Sequence, residues 1–148
     1  MINVDVLSED NNWLKKIKKK KDFFHKVCKA FPTKYQFINK KIFLTLLLSN
    51  NKNIKKLNKK FRNKNKSTDI LSFPIKRKIK LENNSYLGDI IISFNYMNKP
   101  KKQKVKIFKY KVIKTFIHGF LHLLGFNHVK FKDYKKMLKE EEKIYQSV

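Results

Sequence analysis

With 148 residues, 41% of them hydrophobic and 14% aromatic, the chain is long and apolar enough to bury a core, which excludes a disordered polymer and predicts one domain over residues 1–148. Its 37 Lys and Arg against 11 Asp and Glu give a formal net charge of +26, a surface that attracts polyanions, nucleic acid first, because each neutralised phosphate releases a counterion. One cysteine, Cys28, excludes an internal disulfide and fits a cytoplasmic protein better than a secreted one.

The charge has a second reading. Almost all of it is Lys, accompanied by abundant Asn, Ile and Phe, the pattern that an AT-rich genome imposes on any protein it encodes. The N-terminal MINVDVLSEDNNW lacks the basic-then-apolar order of a signal peptide. The longest apolar run, IFLTLLLS, falls far short of the roughly 20 residues that span a bilayer, so no membrane partner is expected.

In chain order, INVDVL (Ile2 to Leu7) alternates apolar and polar residues and predicts a strand. Asn11 or Asn12 then caps a helix from Trp13 to about Phe31, with Trp13, Leu14, Ile17, Phe24, Val27, Cys28 and Phe31 as its apolar stripe and Pro32 as its stop. The lysine run KKIKKKK forms its solvated face, and Cys28 reads as a small buried residue. IFLTLLLS, Ile42 to Ser49, is a continuous apolar run that predicts a strand buried on both faces. NIKKLNKKFR gives a short helix, with Ile54, Leu57, Asn58 and Phe61 on one side, before a polar loop NKNKS.

DILSFPI, Asp69 to Ile75, and LGDIIISF, Leu87 to Phe94, predict two further strands joined as a hairpin through a polar loop at Asn83 and Asn84. After Pro100, the basic segment KKQKVKIFKYK leads into a helix through His118 and His122 to about Leu124, capped by Gly125. That helix is apolar on most sides and predicts a central buried element. A last helix, about Lys132 to Tyr145, carries Met137, Leu138, Glu141 and Ile144. The fold class is therefore α+β, a mixed four-stranded sheet packed with helices.

HGFLHLLGFNH, residues 118 to 128, holds three of the four histidines. His118 and His122 stand four apart, so they leave one face of a helix, and Gly125 lets the chain turn back to aim His128 at the same point. Three neutral imidazoles leave a fourth position of a tetrahedral metal open, the coordination of catalytic zinc, although other divalent transition metals suit the same donors. Core histidines satisfied by backbone partners are the structural alternative. His25 belongs to no such set and reads as a surface or boundary residue. Metzincin proteases share the spacing, but their catalytic Glu falls here at Gly119, which cannot act as a base.

HGFLHLLGFNH, together with LNKKFRNKNKSTDILSFP (Leu57 to Pro74) and LGDIIIS (Leu87 to Ser93), closely resembles the YbeY family, bacterial metal-dependent endoribonucleases of ribosomal RNA maturation. The three blocks keep the family's order over about the C-terminal two thirds of the chain. The resemblance implies a four-stranded sheet with helices, a metal on His118, His122 and His128, and a functional arginine at Arg62. It also implies a role on single-stranded RNA at the 3′ end of small-subunit ribosomal RNA, with the small ribosomal subunit as partner, and in ribosome quality control. One departure is Asn127, where the family usually has Asp; Asn accepts a hydrogen bond but carries no charge.

Arg62 is one of very few arginines in a lysine-rich chain, a choice that a bidentate phosphate clamp explains and that a surface charge at a helix end also explains. His118 and Arg62 are thus the candidate catalytic residues. Asp69 has two readings, orienting Arg62 or a ligand and capping the turn into its strand, and Asp89 has the same two. Glu140 to Glu142 read as a solvated face, with Glu141 able to turn inward beside Met137 and Ile144. Arg62 and the segment around Lys101, Lys102 and Lys104, interleaved with Phe108 and Tyr110, are the candidate RNA contacts, by phosphate pairing and base stacking. A ribosome-assembly factor that binds RNA around a structural metal is the competing reading of the whole.

Overall fold

The computed structural model describes residues 1–76 and 80–148. Part of the predicted loop before Asn83 therefore lies outside the described residues. β1 (Ile2–Ser8), β2 (Ile42–Ser49), β3 (Ile70–Pro74) and β4 (Ser85–Ser93) form one sheet in the order β1-β2-β4-β3. β1, β2 and β4 are parallel and β3 is antiparallel to β4, the mixed four-stranded sheet of an α+β domain. The hairpin partner thus supplies an edge strand. Gly88 makes this pairing possible, because its φ of 136° is closed to other residues and an added Cβ would meet the Phe73 carbonyl oxygen.

The predicted first helix is two helices, α1 (Asn12–Lys16) and α2 (Lys20–Lys29), separated by Ile17 in an extended conformation. Six lysines at Lys15, Lys16 and Lys18 to Lys21 repel within what would be two turns of one helix. Opening the chain there buries Trp13, Ile17 and Phe24 together, while Leu14, expected in the same stripe, is turned out to solvent. No asparagine side chain caps α1; the Asp10 carboxylate accepts from the Asn12 N–H at 2.9 Å instead. β2 also departs from expectation. Ile42, Leu44, Leu46 and Leu48 are buried while Phe43, Thr45 and Leu47 are half-buried, because helices cover only part of the second face.

The first face of the sheet carries the main core. α5 (Val105–Leu123) lies across β3 and β4 with Phe108, Val112, Phe116, Phe120 and Leu121 fully buried, α2 packs beside β1, and α6 (Phe131–Ser147) packs on α5. The four-residue α4 (Phe94–Met97) and a 3-10 turn, Thr33–Tyr35, complete this layer. Cys28 is buried here, as expected, and burial pushes its thiol up to about 12, so it is a packing group and no nucleophile.

On the second face, α3 (Asn51–Arg62) sets Ile54 and Leu57 against Leu71 and Ile91. Its first turn is capped by Asn50, whose Oδ1 accepts from the Asn53 N–H at 3.0 Å, worth about 1 kcal/mol. Its end is fixed by Asn63 in the left-handed region, with φ of 54°. Arg62 is therefore the last helical residue. The buried Asn58 donates to the Lys66 carbonyl at 2.9 Å and folds the following loop back along the edge of β3.

Candidate metal centre and nucleotide cleft

α5 ends in a Schellman turn. The Phe126 N–H reaches the Leu121 carbonyl at 3.0 Å, the Gly125 N–H reaches the His122 carbonyl at 3.0 Å, and Gly125 takes φ of 98°. The reversal brings His128 over the helix face that carries His118 and His122. One ring nitrogen from each of the three lies within 4.8 Å of the others. The sequence spacing and the glycine thus assemble the cluster that they predict.

Two of the imidazoles are oriented from behind. His122 Nδ1–H donates to the Phe126 carbonyl at 2.9 Å, and His118 Nδ1–H donates to Glu141 Oε1 at 2.5 Å across the α5–α6 interface. With both Nδ1 atoms engaged as donors, each Nε2 carries a lone pair, and the two Nε2 atoms face one another at 3.0 Å. Two acceptors at that distance repel unless a cation lies between them, so this donor set fits a bound metal. Burial, then the neighbouring His118, holds the His122 imidazole below its ordinary value, which keeps it in the neutral, ligating form.

Glu141 does turn inward, at the ring edge remote from the shared nitrogens. It is placed to orient His118 and is not among the residues lining the cavity in front of the cluster. Gly119, at the position of the metzincin glutamate, faces the sheet; an added Cβ would lie 2.7 Å from Ile70 Cδ1 and 3.1 Å from Ser72 Oγ. Close helix–sheet packing therefore crowds any side chain at that position, so one there would have to displace the tip of Ile70. The remaining acidic candidates divide: Asp69 is exposed and lines the cavity in front of the histidines, while Asp89 is not among its lining residues. Asp69 Oδ1 accepts from the Ile70 N–H at 2.8 Å and caps the turn into β3, while Asp89 accepts from the Tyr86 hydroxyl on the open face of the sheet.

A cavity of about 750 Å³ opens in front of the histidines, and Arg62, Ser72, Lys76 and Asn127 line it with them. Arg62, distant in sequence, arrives because α3 ends against the β3 edge. Its guanidinium donates to the Ser72 carbonyl at 2.9 Å and lies 5.6 Å from the Phe73 ring centre, which leaves further N–H donors for a ligand. Asn127 Oδ1 accepts from the Val129 N–H at 3.3 Å and shapes the loop; the Phe126 carbonyl and Glu141 orient the imidazoles.

The segment predicted to hold RNA lies elsewhere. Lys101, Lys102 and Lys104 precede α5, at the end opposite His118 and His122, about 20 Å away at 1.5 Å per residue, and none lines the cavity. Phe108 is fully buried against Trp13 and cannot stack on a base; Tyr110 is exposed. His25 is exposed on α2, as expected. Sequence spacing carries no signal for Lys76, which stands in a loop, and leaves Glu141 no more than open to an inward turn, because two equivalent glutamates flank it. No described helix is long and apolar enough to cross a membrane.

A model of the family described as Endoribonuclease YbeY matches residues 6–148. A protein of Pelagibacter ubique named Endoribonuclease YbeY is 62% identical over 148 residues, covering 100% of this chain and 97% of the relative. A protein of the same name from Bartonella henselae is 32% identical over 149 residues, covering 100% of this chain and 94% of the relative. The solution structure of a Thermotoga maritima protein shares the fold, with a TM-score of 0.59 and 22% identity over 97% of this chain and 87% of the other.

Proposed function

The chain belongs to the YbeY endoribonuclease family, and we propose that it is a metal-dependent endoribonuclease that cuts single-stranded RNA. Within that reading its task is 3′-end maturation of small-subunit ribosomal RNA and ribosome quality control in the cytoplasm, with the small ribosomal subunit as partner. One observation carries the assignment: Arg62 and the three histidines, from separate parts of the chain, line the same open cavity. A positive surface with net charge +26 supports a polyanionic substrate.

His118, His122 and His128 would hold the metal, zinc being the first choice for three imidazoles although other divalent transition metals suit them. When bound, such an ion supplies Lewis-acid polarisation of a phosphoryl oxygen and lowers the pKa of water. Arg62 clamps the scissile phosphate with the donors that Ser72 leaves free and stabilises charge as it builds on the phosphoryl oxygens. Lys76 adds a point charge at the same cavity. His118 is held in one tautomer by Glu141, so its Nε2 stays directed at the cluster throughout.

The decisive experiment is cleavage of a single-stranded ribosomal RNA 3′ precursor by metal-analysed protein, beside His122→Ala and Arg62→Ala. Cleavage by the parent that both substitutions abolish, with folding retained, supports the nuclease. A parent that binds the RNA with its metal in place and cuts no faster than the variants is instead an assembly factor with a structural metal. Asn127, uncharged where the family usually has Asp, is what favours that second reading.

A further inference from the structure

Two lysine runs far apart in the chain, KKIKKKK (Lys15 to Lys21) and KKQKVKIFKYK (Lys101 to Lys111), each hold six lysines. The fold joins them. Lys16 reaches from α1 to the Phe108 ring of α5, its Nζ 5.9 Å from the ring centre, and Lys109 reaches from α5 to the Phe23 ring of α2, its Nζ 5.8 Å from that centre. Trp13 of α1 packs edge-on against the same Phe108 at 5.7 Å. Lys18, Lys19 and Lys21 are exposed between the two contact points Lys16 and Phe23, and Lys106, three residues before Lys109, shares its side of α5.

Bringing two like-charged runs together is unfavourable unless something neutralises them. Nothing described in the chain does so. Asp22 is the one acidic residue between Asn11 and Ala30, none occurs between Asp89 and Asp133, and no lysine of either run forms an ion pair among the described residues. The surface therefore calls for an external polyanion. It offers bases little to stack on, since Phe108 is buried beneath Lys16, Phe23 is half-buried against Lys109, and the one exposed ring, Tyr110, has Lys106 Nζ 5.6 Å from its centre. Many phosphate partners and few open rings fit paired RNA, whose bases face inward and whose phosphates lie outside. We propose that α1, α2 and the first half of α5 form a second RNA site, which grips the phosphates of an RNA helix. No lysine of either run lines the cleavage cavity, and Lys109 precedes His118 by about 13 Å along the helix axis.

The choice of RNA among polyanions rests on the endoribonuclease reading, and the measurements separate the two. The probe is a fully paired RNA hairpin without a single-stranded end, bound to metal-loaded protein over a range of salt concentrations. Replacing Lys18, Lys19, Lys21 and Lys106 together by Gln should weaken hairpin binding about tenfold or more and flatten its salt dependence by about 0.9 for every phosphate contact removed. Cleavage of a short single strand at saturation should be unchanged. Replacing Lys52, Lys55, Lys56 and Lys59 of α3, on the other face of the sheet, removes the same charge and should leave hairpin binding within about threefold of the parent. Equal weakening by both sets would mean that net charge alone attracts the RNA and would overturn the site. So would a parent that does not bind the hairpin, whether or not it binds phosphatidylglycerol vesicles. A parent that holds the hairpin through the four lysines and cuts no single strand overturns the nuclease and leaves this site standing.

Discussion

Glu141 on α6 accepts a hydrogen bond from His118 Nδ1 at 2.5 Å, so the helix that closes the chain sets the orientation of a ring on the central helix. The carboxylate is largely enclosed, with 17% of its side chain exposed, which limits competition from water.

Glu141→Ala should therefore weaken metal binding by about 10- to 100-fold, and Glu141→Gln, which keeps an acceptor without the charge, by less. Chelator competition measures both. Unchanged affinity in the alanine variant, with its fold intact, would remove Glu141 from the metal site.

Arg62→Lys should fail to replace Arg62. Lysine keeps the charge but loses the fork that grips Ser72 and a phosphate at once, so cleavage should fall by about 10²-fold or more, as for removal of a preorganised transition-state donor. Single-turnover rates at saturating RNA give the comparison; a lysine variant within threefold of the parent would mean that charge alone suffices.

Lys101, Lys102 and Lys104 stand apart from the cavity, so their role on RNA, if they touch it, is to hold phosphates away from the chemistry. Replacing all three by Ala should flatten the salt dependence of RNA binding by about 0.7 for every phosphate left without its lysine, and leave the single-turnover rate unchanged. A fall in that rate would bring the segment into the cleavage site.

Glu140 anchors α6 from within. It is buried and accepts from the Tyr35 hydroxyl, with Lys34 at 3.4 Å and Lys143 at 3.3 Å. The Tyr35 hydrogen bond holds its carboxyl below the ordinary 4.5 despite burial. A carboxylate with a depressed folded value contributes stability that is complete above 4.5 and is lost as pH falls through the lowered value. Glu140→Gln should cost about 1–2 kcal/mol at pH 7, and the gap to the parent should close below pH 4.5 in denaturant titrations. A gap independent of pH would show that packing, not charge, makes the contact.

The three histidines were legible because their geometry is local. A four-residue spacing on one helix, and a glycine that alone adopts φ of 98° with ease, fix how HGFLHLLGFNH folds, whatever lies around it. Strand order along the chain and the central position of α5 followed from hydrophobic pattern in the same way, since period and burial are properties of single segments. The kink at Ile17 was not legible, because an apolar stripe can be drawn along a single helix and only docking against the rest of the core shows that Trp13, Ile17 and Phe24 are buried together when the chain opens between them.

Everything that turns the histidines into a site was decided by long-range packing. Three adjacent glutamates are equivalent as sequence, and the angle at which α6 crosses α5 gives Glu140 to Tyr35 and Glu141 to His118 while Glu142 stays at the surface. Arg62 joins the cavity because α3 ends at the β3 edge, and Lys101 to Lys104 leave it because the length of α5 separates its two ends. Phe61 and Phe131 look like any other phenylalanine in an apolar, lysine-rich chain. Their exposure exists only after the other rings have filled the core. Spacing within one element is fixed by backbone geometry, but meetings between elements depend on which faces the whole core leaves open.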